Sequence, residues 1–492
     1  MRPLLSYVGL AVCPVLAVCQ RPVSSTLSLA DAVALARTNN PAYRTAINDR
    51  APAVWGVRNA WSSVLVPSVN ASGGVGYAGP GNQSFLTTNF SQTVSTWSSN
   101  YSVGLGWTLS GQTLTLPGLR GAQLSAADAD VGGAETNLVT LVTQQYLTVL
   151  QARDNAAVAR RQLAHDEEFQ KLAQARYDVG RTSLLDVRQA QVARGQAAVA
   201  SLRAETAVQV EKLRLFQEIG VTAPADLQGV QLTDTFPLQT PTWQLATLLT
   251  MAEQQNPALR ALREREHAAS WNVRAATSSY GPSLSLSAGW SGFTQKLSNL
   301  APSYAAIDAG AAANDSTCQY ANRAWLNAGS VALDCSLYLA QGTQQKQALA
   351  AQNGAYPFHF TPQPFQARLT VSIPLWGNFQ QPFAVSQAKA QDQDLEESVR
   401  ARGLQLQTDV TQAFLTLQTA FQAISIQDTS RTAAREQLEL ATQRYRVGSG
   451  TFFELLDAQV AALRAETDYV NAVYDYHKAL AALEAAVGRP LR

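Results

Sequence analysis

The chain has 492 residues, with 37 Lys plus Arg against 36 Asp plus Glu and a formal net charge of +1. That length predicts more than one folded unit, and the balanced charge leaves no basic face of the kind a nucleic-acid partner needs. Only 15% of the residues are charged, and the abundance of Ala, Gln and Leu suits helices packed closely on one another.

Residues 1–19 read as an export signal. Arg2 supplies the charged start, an apolar run extends from Leu4 to Val18 around Pro14, and Val15-Leu16-Ala17 offers a small-residue cleavage site. Leu16-Ala17-Val18-Cys19 is similar to a lipoprotein acylation box, with Val18 where a Gly, Ala or Ser is usual. No later stretch reaches about 18 uninterrupted apolar residues, so an exported chain that crosses a membrane would do so as a β-barrel.

A helix is predicted from Leu29 to about Ser63, followed by two alternating segments. In the first, Val69, Ala71, Gly73, Val75 and Tyr77 alternate with Asn70, Ser72, Gly74 and Gly76. In the second, Tyr101, Val103, Leu105, Trp107 and Leu109 alternate with Ser102, Gly104, Gly106 and Thr108. Period two puts one set on each face of a sheet, here an aliphatic and aromatic face backed by a small or polar one. That is the pattern of a barrel with lipid outside and water inside. From Leu119 to Val179 the apolar residues take a helical period, a stretch of some 60 residues that spans roughly 90 Å. A second long helix follows the turn at Tyr177-Asp178-Val179-Gly180.

The chain then repeats itself. Arg176-Tyr177-Asp178-Val179-Gly180 returns as Arg444-Tyr445-Arg446-Val447-Gly448, an offset of 448 − 180 = 268, and Ala190-Gln191-Val192-Ala193 falls on Ala458-Gln459-Val460-Ala461 at that same offset. Upstream, Asn40-Pro41-Ala42 recurs as Asn256-Pro257-Ala258, an offset of 256 − 40 = 216, and Trp55 recurs as Trp271. The second copy again predicts a helix (Leu245 to about Ser279), then alternation at Leu284, Leu286, Ala288 and Trp290 and at Phe365, Ala367, Leu369, Val371 and Ile373. Pro67 and Pro282 precede strands, while Pro117, Pro374 and Pro382 are expected between strand and helix. The domain plan is a first repeat at 20–220, a linker at 221–241 and a second repeat at 242–492. The offset grows because the second copy holds an insertion at about 291–364, whose Ala, Asn, Ser and Gln content predicts a large extracellular loop. Cys318 and Cys335 lie in it, and outside the cytoplasm they could form a disulfide or remain two thiols.

Four strands cannot close a barrel, and open sheet edges are not tolerated in lipid. The protomer must therefore assemble; three copies give twelve strands, although two or four would also close.

The duplicated order of helix, strand pair and long helical hairpin after an export signal resembles the TolC-like outer-membrane efflux protein family. So do Leu29-x-x-Ala32 with Asn40-Pro41, and the Tyr-x-Val-Gly turn followed by an acidic residue and Ala-Gln in each half. The likeness covers essentially the whole mature chain. It implies an α+β membrane protein of two structural repeats, assembled as a homotrimer with a twelve-stranded barrel in outer-membrane lipid continuing into a periplasmic α-helical barrel. It implies as partners a periplasmic adaptor and an inner-membrane pump. It further implies that Asp186, Tyr445, Glu454 and Asp457 lie at the periplasmic aperture, with Tyr177 and Gly180 as their first-copy turn counterparts. Val179, Gly180, Val447 and Gly448 would then be hairpin tips presented to the adaptor. Glu454 and Asp457, three residues apart, share a helix face, and threefold symmetry would make of them two stacked carboxylate rings that favour cations. One departure stands out: Gly450 occupies the place where the family's arginine lock is expected, leaving Arg446 or Arg181 as substitutes.

No cofactor or metal is expected. Gly74-x-Gly76-x-x-Gly79 sits within and after an alternating strand with no helix behind it, His165 and His477 have no ligand-spaced partners, and no Walker motif, nucleophile elbow or Cys-x-x-Cys occurs. A pore-less periplasmic adaptor or scaffold is the competing reading, which the alternating strands disfavour.

Overall fold

The computed structural model describes residues 26–85, 88–92 and 94–491; the expected signal, with Cys13 and Cys19, lies outside them. In chain order the first elements are β1 (Thr26–Leu27), α1 (Leu29–Asn39), α2 (Pro41–Leu65), β2 (Ser68–Ala78), β3 (Gly81–Phe85), β4 (Thr88–Gln92), β5 (Thr96–Leu109), α3 (Gly111–Asp178) and α4 (Leu184–Ile219). There follow β6 (Gln231–Leu232), α5 (Leu245–Gln255), α6 (Pro257–Ser278), β7 (Ser283–Leu297), α7 (Ala301–Asn327), α8 (Ser336–Gly354), β8 (Thr361–Pro362), β9 (Gln366–Ser372), α9 (Gln380–Val447) and α10 (Phe452–Val487). None of the described helices is long and apolar enough to cross a membrane. The chain forms two compact units: a strand unit of residues 57–119 and 271–389, and a helical unit from the other described residues.

In the strand unit β2, β5, β7 and β9 form an antiparallel sheet in that order, with β8 adding two residues beside β7. Residues directly opposite in such a ladder share a face, and the register aligns the alternation of all four strands. Val69 lies opposite Leu105, Leu105 opposite Ala288, and Ala288 opposite Ala367. One face is therefore mainly apolar from edge to edge, and much of it is exposed, with Val69 69% exposed, Trp290 57% and Leu369 64%; at one end the segment around Pro357 and Phe360 covers Ser99 and Tyr101. The other face carries rows such as Asn70, Gly104, Gly289 and Gln366. Gly289 is required there, because a Cβ would stand 2.5 Å from the carbonyl oxygen of Val103. β3 and β4 pair as a separate hairpin between β2 and β5.

The insertion is helical, where a loop is the sequence expectation. α7 and α8 pack as a pair, with Gly342 against Ala311, Lys346 bound to Asp308 at 2.6 Å, and Cys318 joined to Cys335 by a disulfide. Its alanine content, read as loop-compatible, is the strongest helix former available.

The single helices expected at Leu29–Ser63 and Leu245–Ser279 are each two helices, broken at Asn40 and Asn256. A residue before proline is driven out of the α region, and both asparagines are extended. Each then caps the next helix: Asn40 Oδ1 accepts from the Tyr43 N–H at 3.0 Å and Asn256 Oδ1 from the Leu259 N–H at 3.1 Å. Their Nδ2 groups donate to Glu218 O and Ala486 O, tying each break to the end of α4 or α10. Pro117 and Pro382 lie inside α3 and α9 rather than before them. Pro382 is in the first turn, where its missing N–H has no intrahelical partner to lose.

In the helical unit one core gathers Leu27, Val142, Tyr146, Leu150, Leu215 and Phe216; another gathers Leu248, Leu259, Leu406, Val410, Tyr476 and Leu483. Residues 221–241, expected as a linker, pack onto the first core through Val230, Leu232 and Phe236, and β6 pairs in parallel with β1. Lys212 Nζ, buried, donates to Leu227 O at 2.8 Å and Val230 O at 2.7 Å. Tyr146 Oη donates to Asp234 Oδ2 at 2.7 Å. Among the described residues β2 and β9 present unpaired outer edges, and most of the apolar face between them is exposed.

Candidate functional site

The two hairpin turns of the helical unit lie together. Phe169 and Ala173 of α3, Val187 and Ala190 of α4, Tyr445 of α9, and Phe452 and Leu455 of α10 form one buried cluster. Each turn reverses through a glycine at positive φ, Gly180 at 70° and Gly448 at 85°, a conformation that costs glycine least. The helix ends are closed by 6→1 bonds, Arg181 N–H to Arg176 O at 2.8 Å and Ser449 N–H to Arg444 O at 2.9 Å.

The departing helices begin with hydroxyl caps. Ser183 Oγ accepts from the Asp186 N–H at 3.3 Å, and Thr451 Oγ1 from the Glu454 N–H at 3.2 Å. The Asp186 carboxylate in turn accepts from Ser183 Oγ at 3.1 Å and from Thr182 Oγ1. The half-buried Asp186 is thus a capping residue of α4, and its carboxylate also favours the positive N-terminal end of that helix. Glu454 and Asp457 are exposed on α10 one turn apart. Glu454 faces Arg444 across the turn, Oε2 to Nη1 3.8 Å, while Asp457 has no ion-pair partner among the described residues.

Tyr445 is 2% exposed. Its ring packs edge-on to Phe452, the Arg176 guanidinium lies over it at 4.5 Å, and Arg176 Nη1 donates to the Tyr445 carbonyl. Tyr445 therefore joins the two hairpins from within, whereas its counterpart Tyr177 is 40% exposed. Burial raises the phenol's pKa above its ordinary value.

Neither Arg181 nor Arg446 forms an ion pair among the described residues; the engaged arginines are Arg176 and Arg444. They are equivalent at the 268 offset (444 − 176), a signal in the repeat that names the pair but not what each one binds. Gly450 closes in where a side chain would have little room, a Cβ there meeting Arg444 Cβ at 3.0 Å, and its N–H donates to Arg444 O at 3.1 Å. At the tips Val179 is 69% exposed and Val447 78%, with Leu185 and Phe453 uncovered beside them.

The profile of the outer membrane efflux protein family matches residues 32–221 and 248–489. Over 370 residues the chain is 23% identical to the outer membrane protein TolC of Vibrio cholerae, covering 74% of this chain and 70% of that protein. The fold is similar to that of the outer-membrane channel OprN, with a TM-score of 0.70, 17% identity, and coverage of 94% of this chain and 89% of the other. It is also similar to the outer membrane protein VceC of Vibrio cholerae, with a TM-score of 0.67, 16% identity, and coverage of 94% and 97%. The profile takes in both long helical hairpins and all four strands of the large sheet, and the chain belongs to the outer membrane efflux protein family, a family of outer-membrane channels rather than of enzymes.

Proposed function

We propose that the protein is the outer-membrane conduit of a tripartite efflux or type I secretion system, passively conducting substrates delivered by an inner-membrane pump and a periplasmic adaptor. The observation that carries this reading is the sheet of β2, β5, β7 and β9, with one largely exposed apolar face, one polar face and two unpaired edges. Lipid accepts the apolar face but not the edges. Joining β9 of one copy to β2 of the next removes them, and three copies give a twelve-stranded barrel. Each chain then contributes two structural repeats, 20–220 and 242–492, and the helices of three copies form the periplasmic barrel. The exposed face of α9 and α10 supports that assembly: an open groove of about 1110 Å³ between them, lined by Leu404, Thr411, Leu415, Ala423 and Asn471, is where a helix of the next copy would pack.

On this reading Val179, Gly180, Val447 and Gly448 meet the adaptor, and Asp186, Glu454 and Asp457 surround the aperture with Tyr445 supporting them from behind. Arg444, beside Glu454, replaces the arginine missing at Gly450 as the cation that holds the turn. Purified protein in a planar bilayer tests the reading. It is expected to conduct, and Glu454→Ala with Asp457→Ala to lower the preference for K⁺ over Cl⁻ and relieve block by multivalent cations. An absence of conductance would overturn the conduit. Conductance with unchanged selectivity in the double variant would remove those two residues from the aperture.

A further inference from the structure

The polar face of the large sheet carries a single charge. On β2, β5, β7 and β9 that face is built from Ser, Asn, Gly, Thr and Gln, with Ala78, Phe293 and Leu297 toward one end, and Arg368 is its only ionisable residue. The other basic residue of these four strands, Lys296, is on the apolar face opposite Trp97. Arg368 stands in the row Ser68, Gly106, Ser287, Arg368, and the next row is Asn70, Gly104, Gly289, Gln366. Serine and glycine neighbours are too short to cover a guanidinium, and Arg368 is exposed. No ion pair or hydrogen bond joins its side chain to another described residue.

The charge around it is one-sided. Outside residues 301–354 the strand unit contains Arg58, Arg274, Lys296, Arg368 and Lys389, and no Asp or Glu. All three of its carboxylates, Asp308, Asp315 and Asp334, belong to the disulfide-bonded insertion of α7 and α8 or the turn between them. Arg368 therefore has no compensating acid in the sheet. A lone arginine on a sheet is commonly a solvated surface residue, but this one lies on a face otherwise free of charge and opposite a face suited to lipid.

We infer that Arg368 is a specificity-determining residue of the barrel lumen, one of three guanidiniums at a single level that favour small anions such as chloride, inorganic phosphate or carboxylates. This rests on the reading of the sheet as one third of a closed barrel with its polar face inward. Twelve strands about 4.8 Å apart and tilted by about 40° give a wall roughly 24 Å across between backbones. The lumen axis is then about 12 Å from the wall, within reach of a wall charge at 0.1 M salt, where the screening length is about 10 Å, and out of reach at 1 M, where it is about 3 Å. Desolvation at the wall is slight, so the ring biases passing ions rather than trapping them.

The test uses the full chain reconstituted in planar bilayers, with reversal potentials measured across a KCl gradient near 0.1 M and again near 1 M. Arg368→Gln is expected to raise the K⁺-to-Cl⁻ permeability ratio by about twofold or more at low salt, Arg368→Glu further, and Arg368→Lys to leave it near wild type. All differences should collapse at high salt. The face is read separately: Arg368→Cys should react with a charged, water-soluble thiol reagent and Leu369→Cys should not. Wild-type conductance with unchanged ratios in both the Gln and Glu variants would overturn the inference while leaving the channel intact. Reaction at 369 and not at 368 would overturn it by reversing the faces. No conductance from the wild-type chain would overturn the channel reading, and this inference with it.

Discussion

Asp166 sits on an inward face of α3, only 5% exposed, and accepts a hydrogen bond from Gln162 Nε2 at 3.0 Å. Burial penalises its charged form and pushes its pKa up to about 6, partly offset by Gln162 and by the neighbouring His165. Because the folded value exceeds the unfolded one, the stabilising contribution is complete below about pH 4 and disappears as pH rises through about 6. Above that the buried carboxylate costs on the order of 3 kcal/mol. Asp166→Asn keeps the amide partner and removes the charge. It should raise the melting temperature at pH 7.5 and raise it by much less at pH 4.5; an equal shift at both pH values would show that the carboxylate is not the cause. At the hairpin turns, by contrast, the acidic residues were legible only through family resemblance, which supplied their aperture role. Ser183-x-x-Asp186 and Thr451-x-x-Glu454 also carry the spacing of helix caps, a signal that went unread. That Arg176 of one hairpin would bind the carbonyl of Tyr445 in the other could not be read, since the two are 269 positions apart in sequence.

At the scale of elements, the strands were legible because period two is unambiguous when one face is apolar, and the pairing register brings the four alternations onto common faces. The long helices were legible from their period. Their interruptions were not: Asn40-Pro41 and Asn256-Pro257 were read as repeat markers rather than breaks, although the residue before proline is where a helix stops. β1 and β6, two residues each, have too little pattern to find. The insertion was misread because Ala, Asn, Ser and Gln serve loops and exposed helices alike. Its disulfide closes a separation of 17 residues between α7 and α8, which for a loop of that size is worth about 3 kcal/mol through the unfolded hairpin. Because the insertion packs as its own helical pair, Cys318→Ser with Cys335→Ser should leave pore conductance unchanged. It should speed proteolysis near residues 328–335; equal protease resistance in wild type and variant would mean that α7 and α8 are held by packing alone.

For the whole molecule, the decisive feature is a sheet that one chain cannot finish. β2 and β9 are edges, and the apolar face they bound exposes Val69, Val75, Tyr77, Trp290, Leu369 and Val371. Such a face in water would aggregate, and such edges in lipid would leave a row of backbone groups unsatisfied at several kcal/mol each. Both liabilities vanish when copies join edge to edge, which is the support that the backbone gives to the proposed oligomer. The number of copies is what closure alone leaves open. The most direct measurement is therefore the native mass of the full-length protein extracted in mild detergent. Three chains per particle is the expected result, with no monomer at concentrations where the fold persists. A folded monomer, or a particle of two or four chains, would contradict the twelve-stranded barrel on which the channel account rests.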